Sequence, residues 1–219
     1  GAGEAKALLD LVQKQDLAVS DLFPAFDFLR LVALHPSAFS SSGPRENDTW
    51  NSLLNGVIDR LMSIDDKVND KAASLCGLRF IANCCKSRKA QQFVQQNMSS
   101  ILALCDAFSS TTVSTVRGAL TSLLLNIAVI FYHDESPSVQ GALDKATQVF
   151  FLIQRSLQLL NVSTRLEDDS IFRLNSVMGT SLLTLISKIG LEKPRIKSIR
   201  EEVSAGIARG VNNEGGADG

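Results

Sequence analysis

Five polar residues interrupt stretches that otherwise read as apolar helix: Arg30, Arg79, Asn83, Asn126 and Arg173. A guanidinium among aliphatic neighbours must find an anion, because burying it unpaired is expensive. Leu75, Arg79 and Asn83 follow one another at four-residue steps, so one helix ridge carries both an arginine and an amide. Two chemistries fit. In one, carboxylates of the same fold answer the arginines: Asp27 or Asp21 for Arg30, and Asp169 for Arg173, as ordinary helix ion pairs. In the other, the residues share a groove that receives an acidic peptide. Arginine then grips carboxylates, and asparagine, both donor and acceptor, holds an extended backbone. For each arginine alone the two are evenly matched, and the joint occurrence favours the groove.

Catalytic patterns are missing from the sequence. There is no GxGxxG, GxxxxGK[ST], GxSxG or HExxH. Cys84 or Cys85 with His133 is the one conceivable thiol–imidazole pair, but adjacent cysteines late in an apolar helix read as packing residues. Cys76 and Cys105 sit in similar apolar surroundings without CxxC spacing, and with only two histidines a zinc site would need an unusual ligand set. The expectation is reduced core thiols, no metal, no cofactor and no enzymatic activity. Lys86, Arg88 and Lys89 read as a solvated basic turn.

Bulk properties narrow the class further. The 219 residues are 45% hydrophobic and 21% charged, ordinary for a globular protein with a real core. Lys plus Arg number 22 against 23 Asp plus Glu, so the net charge of -1 offers no overall field for a polyanion, while a local basic groove stays open. Nucleic acid is not expected as a partner. The longest mainly apolar run, residues 123–132, is too short to span a bilayer. The opening GAGEAK lacks the basic and apolar regions of a secretory leader and reads as a domain boundary. A reducing cytoplasmic or nuclear setting and a monomer are the expectations.

The elements that must position the five residues are all helices. Apolar residues recur at three- and four-residue spacing throughout. The pattern predicts helices over 4–14, from a cap at Ser20 or Asp21 to a stop at Pro36, and from a cap at Asp48 to Met62. Residues 37–47 read as loop. A long helix follows over 68–86, opened by Asp65 or Asp66, then helices capped by Ser87, Asn97 and Ser114, the last running to His133. Further helices are expected over 137–160, 170–189 and, weakly, 196–208. The chain is read as one domain over 1–210 with a disordered tail at 211–219. Asn83 and Asn126 each follow a leucine-rich run and lie 43 residues apart, the period of an armadillo or HEAT array. In such an array the inner helices line one shared surface.

Four segments taken in order, FPAFDFLRLVALHPSAF, LCGLRFIANCC, ALTSLLLNIAVIFYHDE and FRLNSVMGTSLLTL, resemble the PUL domain. This is the C-terminal module shared by phospholipase A2-activating protein and its fungal ubiquitin-binding relatives. The likeness covers roughly residues 22–189 and weakens after Glu192. It implies an all-α, armadillo-like superhelix whose basic concave groove binds the acidic, aromatic-containing C-terminal tail of the AAA ATPase valosin-containing protein, in ubiquitin-dependent work. By motif match the resemblance places the contact on Arg30 and Arg173, with Arg79 a third member. Asn83 and Asn126 would hold peptide backbone by analogy with armadillo arrays. The alternatives are a generic armadillo-type interaction scaffold, or the non-catalytic PUL module of a larger isopeptidase or thioredoxin-like fusion.

Overall fold

A computed structural model describes residues 2–35, 38–39, 44–65, 70–133 and 201. Among them are seven α-helices, one short 3-10 turn and no strand: α1 (Ala2–Val12), the turn Val19–Leu22, α2 (Phe23–Val32), α3 (Pro44–Met62), α4 (Lys71–Cys84), α5 (Arg88–Gln96), α6 (Met98–Phe108) and α7 (Ser114–His133). The architecture is all-α helical repeat. The helices expected over 137–160, 170–189 and 196–208, Arg173 and the tail at 211–219 lie outside the described residues.

Two compact units divide the chain, residues 1–123 and 124–219. In the first, α2 packs along α4, and α1 along α3, while α3 also meets α4, α5 and α6. The core is Phe26 and Leu29 of α2, Leu53, Leu54, Ile58 and Leu61 of α3, Leu78, Phe80 and Ile81 of α4, and Leu104 and Phe108 of α6, all buried. Close helix approach relies on two glycines. A Cβ on Gly77 of α4 would lie 2.8 and 2.9 Å from the two Leu61 methyls, and one on Gly56 of α3 would lie 3.1 Å from Val12 Cγ1.

Local chemistry explains most of the boundaries. Ser87 Oγ accepts from the Ala90 N–H at 3.4 Å and caps α5 as expected. Asn97 ends α5 and begins α6, but its amide does not accept from the α6 first turn. It donates instead to the Phe93 carbonyl (2.8 Å) and to Asn51 Oδ1 (2.7 Å), tying α5 to α3. The starts of α3, α4 and α7 differ from expectation. α3 opens at Pro44 rather than after Asp48, since a first-turn proline is already set for helix. α4 opens at Lys71, with the Asp70 carbonyl taking the first bond from Ser74 N at 2.9 Å. For α7 the first acceptor is the Val113 carbonyl, which takes the Arg117 N–H at 2.9 Å, so Ser114 is the first helical residue rather than the cap.

α4 and α7 begin 43 residues apart, at Lys71 and Ser114, and each carries its asparagine at the thirteenth position. The repeat read from two asparagines is therefore a repeat of whole helices.

Candidate functional site on the seam of α2 and α4

The seam is built around Asp27. Arg30, one turn on, donates from Nε (2.9 Å) and Nη2 (2.6 Å) to the same carboxylate oxygen, Oδ1. The Cys76 thiol of α4 donates to that oxygen from 3.6 Å. Two turns further along α4, Asn83 Nδ2 donates to the Arg30 carbonyl at 2.9 Å. The contacts advance together, Asp27 with Cys76 and Arg30 with Asn83, so the two helices run in the same sense here.

Each of these side chains meets a need of the backbone or the core. At the end of α2 the N–H groups of Ala33, Leu34 and His35 go to the carbonyls of Leu29, Leu31 and Val32. The Arg30 carbonyl is passed over, and Asn83, itself only 9% exposed, supplies its donor. Asn83, expected to hold the backbone of a bound peptide, here holds the backbone of the chain's own helix. Arg79 lies on the outer side of the α4 ridge, exposed, and has no direct ion pair with a described residue. Its charge nevertheless acts on Asp27 and on Cys76.

The electrostatics follow from this cluster. The Arg30 hydrogen bonds lower the Asp27 pKa against a smaller opposing effect of desolvation, and the charges of Arg30 and Arg79 add to the lowering. Asp27 in return raises the Arg30 pKa. Cys76 is pushed up, first by burial and then by the Asp27 charge, and stays a thiol. Two cations and one anion leave a local excess of one positive charge. Because Asp27 is held below the ordinary carboxylate value of 3.8, that excess is constant through neutral pH and grows only in acid, where Asp27 takes up a proton and loses its charge.

Beside the charges runs an exposed apolar stripe. Phe28 and Leu31 of α2 and Leu34 just past its end are each 51% exposed, and Phe23 is 40% exposed. Sequence reading singled out Arg30 and passed over these neighbours. The signal was present, since FPAFDFLRLVAL carries more apolar residues than one buried face of a ten-residue helix can use.

Asn126 lies on α7 in the second unit, half-buried, and Arg173 lies outside the described residues. Sequence reading missed two buried cations, Arg60 of α3 and the fully buried Arg117 of α7.

The thiols offer little to a nucleophilic reading. All four cysteines are buried. Burial pushes Cys84 well up and Cys85 up to about 12, so neither is a thiolate near neutrality. Alkylation of the native protein at pH 7.5 is expected to be slow at all four positions and to accelerate only on unfolding. Rapid modification of a single cysteine in the folded state would restore the thiol-enzyme alternative. Among the described residues no three His, Cys, Asp or Glu side chains gather as a metal site, and no helix is long and apolar enough to cross a membrane.

With the helices and the seam in view, the family comparison is decisive. The sequence profile of the PUL domain matches residues 4–206 of the 219. The chain belongs to the PUL domain family. No solved structure matches it at a significant level. A PUL domain is a protein-interaction module. The seam fits that role: it presents two guanidinium groups and an apolar stripe on one helix pair.

Proposed function

We propose that this PUL domain is a peptide-binding adaptor that receives the acidic C-terminal tail of a valosin-containing-protein-type AAA ATPase and links that ATPase to ubiquitin-dependent processes in the cytoplasm or nucleus. The observation that carries the reading is the α2–α4 seam. Arg30 and Arg79 supply a local positive excess, and Phe28 and Leu31 offer exposed apolar surface next to it. Arg30 and Arg79 take peptide carboxylates, and Arg173 extends the same role along the chain. Asn126 holds peptide backbone, while Asn83 keeps Arg30 at the height the peptide needs. The domain acts as a non-catalytic module.

Charge contacts that are partly open to solvent are screened by salt. Titration of the acidic tail peptide against the domain is expected to give micromolar-class binding at low salt, weakened on the order of tenfold at half-molar salt. The affinity is also expected to be flat between pH 6 and 8, since Asp27 and Cys76 do not change charge there. No detectable binding at low salt, or binding indifferent to salt, would refute the reading.

A further inference from the structure

The seam contains its own anion. Asp27 Oδ1 takes two hydrogen bonds from the Arg30 guanidinium, through the Nε and Nη2 edge that a carboxylate ligand would grip. It does so through one oxygen only, and the Cys76 thiol leans on that same oxygen. A free carboxylate that engages this edge with both oxygens makes the better fork. The Asp27–Arg30 pair is also partly solvated, with side chains 35% and 24% exposed, so exchanging one carboxylate for another costs little. Arg79, without a direct partner among the described residues, lies in the field of the same Asp27.

We infer that Asp27 is a built-in competitor for the acidic-peptide site: it occupies Arg30 and offsets Arg79 until a peptide carboxylate takes Arg30 from it. This rests on the peptide-binding reading above. The device selects its ligands. A peptide with one weakly placed carboxylate gains nothing over Asp27, whereas one with several carboxylates can displace it and still engage Arg79. It also confers resistance to bulk anions, because a pre-paired arginine is a poorer target for small ions than a free one.

The test is Asp27→Asn, which keeps side-chain shape and an acceptor for Cys76 while removing the charge. Titrated with the same acidic tail peptide, D27N is expected to bind about fivefold more tightly than the natural sequence. That gain is expected to fall below twofold in an Arg30→Ala background, and Asp59→Asn at an exposed position of α3, an equal change in charge, is expected to shift affinity by less than twofold. If the natural domain binds and D27N binds equally or more weakly, Asp27 is not a competitor and the peptide reading stands. A gain that persists without Arg30 also overturns the inference, reducing it to bulk charge. If only D27N binds, the competitor is real and the adaptor reading fails for the natural sequence. If neither binds, both fall.

Discussion

Gly77→Val is expected to lower the stability of the first unit by about 3 kcal/mol, the upper range for overpacking a closed core. The Cβ alone would press on both methyls of Leu61 (2.8 and 2.9 Å) and on its Cγ (3.1 Å). Leu61 is itself buried, so its methyls give way only by repacking the surrounding core. Alanine at this position meets the same clash but recovers up to roughly 1 kcal/mol of helix propensity, so its net loss is smaller. Valine adds two further carbons and stiffness at χ1. In a chemical-denaturation series the midpoint falls from the natural sequence to Gly77→Ala to Gly77→Val. Leu61→Ala recovers part of the valine loss, which identifies the contact as the cause. Because α4 also carries Asn83 and Arg79, a displaced α4 is expected to weaken peptide binding as well.

Asn83→Leu, which keeps the branched outline of the side chain, is expected to cost about 1–3 kcal/mol, because it leaves the part-buried Arg30 carbonyl without its side-chain donor. Asn83→Gln, which keeps an amide on a longer stem, is expected to retain part of the interaction. Hydrogen exchange over the last turn of α2 separates a local effect from a general one. Protection at Ala33, Leu34 and His35 is expected to fall in Asn83→Leu while protection within α6 is preserved. Unchanged protection at the α2 end would mean that Asn83 does not hold it.

These two expectations mark how far sequence pattern reached. Periodicity located the seven described helices, because each must bury a stripe against its neighbours, and the cap at Ser87 left a direct signature. The 43-residue spacing of Asn83 and Asn126 was legible because the helices carrying them begin at the same spacing. What Asn83 does was not legible. A polar residue in an apolar run signals that something must be satisfied without saying whether the partner is a ligand or another part of the chain, and here one partner is the end of α2.

The same ambiguity governed the arginines. For Arg30 the ion-pair reading holds: it pairs with Asp27, as three-residue spacing on a helix allows, while its side chain stays partly exposed. Arg79 projects outward from its ridge, a direction that depends on where α2 crosses α4. Arg117 was hidden because nothing in STVRGALTSLL marks the arginine position as a core position. Only the packing around α7 makes it fully buried. The start of α3 was misplaced because serine, glycine and proline in SSSGPREN read as loop, while Pro44 in fact occupies the first helical position.

The central claim is that arginines spaced along the helical array receive the acidic tail of the ATPase, and the Arg30→Ala, Arg173→Ala double variant tests it most directly. Both substitutions remove a guanidinium, so a retained fold can be verified by circular dichroism before titration with the tail peptide. The account predicts loss of binding by at least about thirtyfold at low salt, together with a flatter salt dependence. A correctly folded double variant that binds the peptide as the natural domain does, with the same response to salt, would contradict it.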